Sequence, residues 1–292
     1  MRTGMTGKWY ATAITLVLAL LTSPARADYQ FDTLRSDVRV ERPDPPDDSP
    51  PRREDDCDCD DWWDDDDSAD GALWGGLVVA VTSPFWAPPA IIGDNYGNSG
   101  FFPTHPHQFD CGYMVIGNEA RYAHAPDCTG RCAARFGSEF GTNLSGIDWL
   151  GTRVLVETTP RLGLDADFRL LSEERFPRAN DHLWLGDANL LFRFAQDEFV
   201  QMRTGVGFNY LSDDYDTNFG FNFTYGGDWY FARPWVVSAE MDLGWLGEAT
   251  VIHLRGTVGA NWRFAEAYIG YDYYDIGRAQ VGGMVAGVRL WF

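Results

Sequence analysis

Two-residue alternation of apolar and polar side chains runs through the chain from residue 161 to its end. Successive side chains of an extended strand point to opposite faces, so this alternation predicts strands with one apolar and one polar face. In the closing stretch GGMVAGVRLWF, the apolar face consists of Met284, Ala286, Val288, Leu290 and Phe292. A single strand of this kind fits a soluble sandwich as well as a membrane barrel, so the neighbouring strands must decide between them.

The polar faces of these strands carry acids and arginines in near balance, with glycines between them. Paired charges beside small residues fit the interior of a narrow barrel, where facing side chains neutralise one another. An arginine turned toward lipid near the middle of a bilayer costs roughly 2–4 kcal/mol, which fixes the register. We predict an interior charge network formed by Asp165, Asp167, Arg169, Asp187, Arg193, Arg203, Glu240, Asp242, Arg255, Asp272 and Arg289.

Eight alternating segments can be counted from residue 152 onward. Their lengths of about ten residues match a tilted bilayer crossing and exceed the roughly 5 to 6 residues common in soluble sheets. The sequence therefore predicts an all-β fold, an antiparallel up-and-down transmembrane β-barrel of eight strands over residues 152–292. The stretch at 134–141 also alternates, which leaves ten strands possible.

Residues 1–27 have the pattern of a secretory signal peptide. Arg2 and Lys8 form a basic beginning, an apolar run follows, and Ala27 closes a cleavage site of small residues. The apolar run is shorter than the roughly 20 residues of a spanning helix. We predict export by the general secretory route and cleavage between Ala27 and Asp28.

An acidic leader follows at residues 28–70, rich in Pro and Asp and almost free of aliphatic side chains. Such a segment buries too little apolar surface to offset its ordering entropy, so we predict a disordered linker. The formal net charge of the chain is −20, and this acidity excludes nucleic acid as a partner. Calcium binding by the acidic residues stays open as an alternative, since carboxylates suit a hard cation but no defined ligand loop is present.

Residues 71–151 are predicted to form a Cys-containing periplasmic segment. It opens with an uncharged stretch at 72–92, in which Pro84, Pro88 and Pro89 leave an uninterrupted run too short to span a bilayer. We expect this stretch to be a short helix or an extended piece, either docked on the next domain or lying at a membrane surface.

All five cysteines precede the predicted barrel, and an exported chain enters an oxidising compartment, so disulfides are expected. Because the number is odd, one thiol is left over or pairs between chains. A zinc site at His124, Cys128 and Cys132 is a weaker alternative, since Pro126 and Gly130 interrupt the helix that would align these ligands. We predict no cofactor and no metal. The candidate disulfide residues are Cys57, Cys59, Cys111, Cys128 and Cys132.

Ser238, Glu240 and His253 all point inward in the predicted register and form the candidate nucleophile and base. An inward histidine among acids and arginines is more typical of a salt-bridge network than of catalysis. We therefore predict a protein that is not an enzyme. Two alternatives stay open: a barrel-borne enzyme acting on lipid A or peptides, and a narrow pore.

The closing segment MVAGVRLWF resembles the last strand of small outer-membrane β-barrels of the OmpA/OmpX type, which characteristically ends in Phe. The resemblance covers residues 152–292. It implies an outer-membrane location, contact with outer-membrane lipid, and recognition of Phe292 by the barrel-assembly machinery. The N-terminal segment would then lie in the periplasm, and the role would be structural, surface-interacting or envelope-tethering.

Overall fold

Ten antiparallel strands form a closed barrel in the structure, a computed structural model that describes residues 30–39, 82–94, 132–158, 160–175, 179–197, 199–262 and 264–292. Each strand pairs with the next one along the chain, and the last pairs with the first. The strands are β1 (Cys132–Thr142), β2 (Ile147–Thr158), β3 (Leu162–Glu173), β4 (Asp181–Gln196), β5 (Val200–Ser212), β6 (Thr217–Ala232), β7 (Trp235–Leu246), β8 (Ala249–Trp262), β9 (Ala265–Ile276) and β10 (Ala279–Trp291).

The strand number corrects the predicted eight strands and bears out the alternative of ten. Strand β1 and the start of β2 lie before residue 152, inside the stretch assigned to the Cys-containing segment. The predicted first strand is in fact β2 and β3, because the chain turns at Pro160 and at Arg161, whose φ is 70°. Strand β1 closes the barrel by pairing with β10, where Arg135 faces Trp291.

The predicted register is confirmed along the strands. In β8 the outward-facing Ile252 and Val258 are 38% and 45% exposed, whereas Arg255 between them is 5% exposed. The same alternation places apolar side chains outside and charged ones inside in the other strands. The barrel therefore has an apolar outer wall and a charged interior, which is the reverse of the distribution in a soluble protein.

The two ends of the barrel differ. At the terminal end, where β1 begins and β10 finishes, the connections between strands have at most three residues, at 159–161, 197–199, 233–234 and 263–264. At the far end the longest connection has seven residues, and the connections lie at 143–146, 174–180, 213–216, 247–248 and 277–278.

Two described helices accompany the barrel. Helix α1 (Gln30–Val38) lies in the mouth at the far end, against β3, β4 and the turns there. Helix α2 (82–92) lies on the outer wall near the terminal end. Among the described residues no helix combines the length and the hydropathy needed to cross a membrane.

Candidate functional site

The far end of the lumen is filled by an apolar plug that centres on helix α1. Phe31, Leu34 and Val38 lie three and four residues apart, on one face of the helix, and each is at most 1% exposed. The barrel side chains in the same cluster are Ile147, Trp149, Leu171, Leu183, Leu185, Leu211, Leu246, Ala249, Val251, Tyr274, Ile276, Ala279, Val281 and Val285. Burying three such side chains contributes about 1.5–3 kcal/mol each.

Ion pairs and hydrogen bonds from charged side chains hold α1 at the far end of the barrel. Arg35 donates to both carboxylate oxygens of Asp181, at 2.6 and 2.8 Å, and to Asp213 Oδ2 at 2.6 Å. On the other side of the helix, Asp37 accepts the backbone N–H of Arg278 at 2.8 Å and its guanidinium. The hydrogen bond from Arg278 lowers the pKa of Asp37 below its ordinary value of 3.8.

Two turn glycines let α1 approach this closely. Gly247 (φ 56°) and Gly277 (φ 62°) adopt the left-handed conformation that favours glycine. A Cβ atom on Gly247 would lie 1.9 Å from the carbonyl oxygen of Val38, and one on Gly277 would lie 2.7 Å from Asp37 Oδ2. The β7–β8 and β9–β10 turns therefore pack against α1 so closely that a side chain at either glycine would clash with the helix.

Below the plug, a layer of ion pairs joins strands on opposite sides of the lumen. Arg169 on β3 donates to Asp167 at 2.8 and 2.9 Å and reaches across to Asp272 on β9 at 2.6 Å. Arg255 on β8 bonds Asp272 at 2.9 Å and Glu139 on β1 at 2.9 Å. These contacts close the middle of the lumen with side chains.

His253 bridges two acids within the same layer. Its Nδ1 lies 2.6 Å from Asp242 Oδ2 and its Nε2 lies 2.6 Å from Asp272 Oδ1, while its ring stacks on Tyr274 at 4.0 Å. Glu240, Asp242 and His253 place ligand-type atoms within 4.8 Å of one another. Both ring nitrogens face carboxylates, however, so a doubly protonated ring fits best, and such a ring offers no lone pair to a metal.

A second charged layer lies closer to the terminal end. Asp228 accepts from Arg135 at 3.0 Å, from Arg203, and from the Ser238 hydroxyl at 2.6 Å. Arg153 on β2 bonds Asp165 and spans the lumen to Glu240 on β7. The cavity left between these side chains measures about 10 Å³, room for about one water molecule.

All eleven predicted network residues lie inside the barrel. The hydrogen-bond partner of Asp187 is a neutral side chain: its carboxylate accepts from Asn189 Nδ2 at 2.7 Å. Arg193 lies near Glu157 at 3.8 Å and donates to the Thr158 carbonyl at 3.1 Å. Sequence reasoning missed five further network members, of which the first four lie on β1 and β2: Arg135, Glu139, Arg153, Glu157 and Asp228.

The proposed nucleophile and base do not come together as a catalytic pair. The Ser238 hydroxyl donates to Asp228, Glu240 accepts from Arg153, and His253 is held by Asp242 and Asp272. Each of the three side chains is thus a member of the charge network.

Other predicted sites fall largely outside the described residues. The cleavage site at Ala27 and Asp28 and the cysteines at 57, 59, 111 and 128 lie there. Cys132, the first residue of β1, is exposed and has no disulfide partner among the residues that the structure describes. The disulfides stay a prediction. Phe292 exchanges two backbone hydrogen bonds with Ala134, at 2.8 and 3.0 Å, and so completes the β1–β10 seam.

Solved structures similar to this chain include three barrels. The N-terminal β-barrel domain of OprF from Pseudomonas aeruginosa has 12% identity and a TM-score of 0.28, over 55% of this chain and 97% of that chain. The Yersinia pestis outer membrane protein Ail has 12% identity and a TM-score of 0.32, over 56% and 99%. Neisserial surface protein A has 14% identity and a TM-score of 0.30, over 55% and 96%.

No family model matches the chain. No curated protein sequence matches it either. The closed antiparallel barrel with an apolar outer wall is the fold that the resemblance to small outer-membrane β-barrels implied.

Proposed function

We propose that this protein is an integral outer-membrane β-barrel that serves as a closed anchor, with a structural, surface-interacting or envelope-tethering role and no catalysis. The observation that carries the proposal is the combination of an apolar outer wall with a lumen closed by ion pairs and by α1. Outer-membrane lipid and the barrel-assembly machinery are its proposed partners.

Aromatic side chains on the outer wall support membrane insertion. They form one band at each end of the strands, as in the interfacial girdles of membrane barrels. The band at the terminal end contains Phe199, Phe231, Trp235, Trp262, Phe264 and Phe292, and the band at the far end contains Trp184, Tyr215, Phe219 and Trp245.

The connections between strands support one orientation. Outer-membrane barrels have short periplasmic turns and longer outer loops. The terminal end has connections of at most three residues, and the far end has the seven-residue connection at 174–180. We therefore place the terminal end in the periplasm and the far end at the cell surface.

The lumen argues for an anchor over a pore. Ion pairs such as Arg169–Asp272 and Arg153–Glu240 cross it from strand to strand. An ion passing through would have to break these contacts and displace α1. We expect no conductance steps of porin size in planar bilayers, and large regular steps would favour the pore.

Cell fractionation tests the location, and mass spectrometry of lipid A tests the enzyme alternative. The mature protein should be found with the outer membrane and should shift in gel mobility on heating, as folded barrels do. Recovery in the soluble periplasmic fraction would contradict the proposal. A change in lipid A mass on expression would favour the enzyme.

A further inference from the structure

A groove of about 520 Å³ lies in the outer wall of the barrel, across β7 and β8. Its floor is formed by Ala239 and Gly256, which are direct neighbours in the β7–β8 register and are both exposed. A Cβ atom on Gly256 would meet no atom of the described residues within 4 Å, so the wall is low at this point. The larger outward side chains around the floor therefore enclose a depression in the apolar surface.

Aromatic, aliphatic and thioether side chains border this groove. Trp229 on β6 and Tyr271 on β9 stand at its two ends, three strand spacings or about 14 Å apart. Met241 and Leu254, which are cross-strand neighbours, form the side toward the far end, and Met202 on β5 completes the border beyond β6. Methionine side chains are flexible and fill irregular gaps, so this border can adapt to a ligand that has no fixed shape.

Two charged residues, Glu240 and Arg255, also line the groove, but their charged groups lie in the lumen. There Glu240 accepts from Arg153, and Arg255 donates to Glu139 and Asp272 at 2.9 Å each. What these two residues present to the groove is their strand backbone, which is paired within the sheet. The groove therefore offers no charged group to a ligand.

Two tyrosines in the lining have hydroxyl groups that are bonded within the chain. The Tyr225 hydroxyl donates to the Pro84 carbonyl at 2.9 Å, and its ring packs on Phe85 of α2 with ring centroids 5.8 Å apart. The Tyr273 hydroxyl donates to Asp275 Oδ2 at 3.3 Å. These contacts hold the two rings in place beside the groove and occupy their polar ends.

The groove lies between the two aromatic bands of the outer wall. On β7, Trp235 belongs to the band at the terminal end and Trp245 to the band at the far end. Ala239 lies four residues from Trp235, which is about 10 Å of height at a typical strand tilt. At this depth in a bilayer the surroundings are hydrocarbon without water, so the groove faces the acyl chains of lipids.

We propose that the groove binds one acyl chain of a membrane lipid, which lies across β7 and β8 on Ala239 and Gly256. The inference rests on the proposed membrane barrel and adds a lipid-binding site to it. An acyl chain is narrow and flexible and carries no hydrogen-bonding group, which matches the adaptable border and the uncharged lining. A chain enclosed in this way exchanges more slowly than the lipids on the rest of the wall, so the bound lipid stays with the protein during gentle extraction.

Native mass spectrometry of the full-length mature protein tests the proposal. The protein is reconstituted in vesicles of dioleoylphosphatidylcholine, extracted again in mild detergent, and its bound lipids are counted by mass. The variant Gly256→Leu fills the groove with a side chain that has room on its strand, and Ala239→Leu fills it from the neighbouring strand should the first variant fail to assemble. The matched control is Ala286→Leu, which adds the same side chain at an exposed position on β10, outside the groove.

Wild type and Ala286→Leu should each retain a single phospholipid. Gly256→Leu should lower the lipid-bound fraction about tenfold or more, because several methylenes of the acyl chain lose their site. An equal lipid-bound fraction in Gly256→Leu and wild type, or a wild type that retains no lipid, would overturn the proposal. A wild-type dimer that Gly256→Leu dissociates would overturn it as well, since the groove would then hold a second copy.

Gel mobility separates a failure of this proposal from a failure of the membrane barrel. Heat-modifiable wild-type protein that retains no lipid contradicts the lipid site alone. Recovery of the wild-type protein in the soluble periplasmic fraction contradicts the anchor, and the lipid site with it.

Discussion

Arg169 illustrates how much one interior side chain holds together in this barrel. It neutralises Asp167 on its own strand and Asp272 across the lumen, and its guanidinium lies 5.1 Å above the ring of Tyr274. A buried ion pair is a modest source of stability compared with apolar packing, but removal of one partner leaves the other charge buried and uncompensated. The network is therefore sensitive to single losses.

Arg169→Met should lower the stability of the assembled barrel by about 3–5 kcal/mol, because two buried carboxylates lose their shared cation. Urea titration of the folded protein in detergent, followed by tryptophan fluorescence, measures the shift. The control is Arg233→Met, whose side chain is exposed in the β6–β7 turn, with an expected change within about 0.5 kcal/mol. Equal unfolding midpoints for both variants would show that Arg169 is not part of a stabilising network.

Acid should loosen the docking of α1. Because Arg278 lowers the pKa of Asp37, this pair contributes stability above pH 3.8 that is lost as the pH falls through the lowered value. NMR signals of the α1 amides, followed from pH 6 to pH 3, should stay constant at first and shift only below about pH 4. Asp37→Asn should weaken docking already at pH 6 and flatten the pH dependence. An unchanged profile in that variant would assign the transition to other groups.

Individual residues of the interior network also show how far the sequence alone could predict the site. The inward faces of β3 to β10 were readable, because strict alternation fixes which side chains share a face. The network members on β1 were not, since CAARFGSEFGT has only two large apolar side chains to define an outer face. Asp228 was missed because the alternating stretch read in its strand ends at Gly226, two residues earlier.

Helix α1 shows the same limit at the scale of an element. Its sequence, QFDTLRSDV, has three large apolar residues among charged and polar ones, a weak signal inside a leader that is otherwise acidic. Its stability comes from the barrel mouth that receives Phe31, Leu34 and Val38. Because the barrel residues that pack on α1 are distant in sequence, they leave no pattern within the leader itself. The sequence therefore predicted a disordered linker over the whole of residues 28–70.

Removal of the plug should open the far end. Deletion of residues 30–39 takes away three buried side chains and the Arg35 clamp, so water should enter the far half of the lumen. We expect a lower unfolding midpoint, and still no conductance steps in planar bilayers, because the ion pairs Arg169–Asp272 and Arg153–Glu240 remain across the lumen. Leu34→Ala is the milder variant, with an expected loss of about 2–5 kcal/mol. An unchanged unfolding midpoint would show that α1 does not stabilise the barrel mouth.

Strand β10 carries a second prediction at this scale. Truncation of Leu290, Trp291 and Phe292 should block assembly, because it removes the last pairs to β1 and exposes strand edges in hydrocarbon, where each unpaired group costs several kcal/mol. Phe292→Ala keeps the backbone pairs with Ala134, so slow assembly of a finally stable barrel would indicate recognition of the aromatic ring. A polar substitution in the loop at 213–216 is the control. Normal levels of heat-modifiable protein after truncation would contradict closure by β10.

At the scale of the whole molecule, the proposed orientation places helix α1 and the ends of the barrel strands on opposite sides of the membrane. Helix α1 lies at the far end, and the barrel strands start and finish at the terminal end. An epitope inserted in the far-end turn at 143–146 should therefore bind antibody on intact cells. An epitope in the turn at 197–199 should bind only after the outer membrane is permeabilised. The reverse result would place the far end, and α1 with it, in the periplasm.

The position of α1 in the barrel mouth also constrains the order of the steps by which the protein is assembled. In the proposed orientation, α1 must cross the membrane before β1 and β10 pair, because a lumen filled with ion pairs leaves no passage for a helix. Cleavage between Ala27 and Asp28, which leaves two residues before Gln30, would have to come earlier still, since an uncleaved signal peptide would hold α1 back. Each step of assembly would then make the previous one irreversible, and closure of the barrel would trap α1 at the far end.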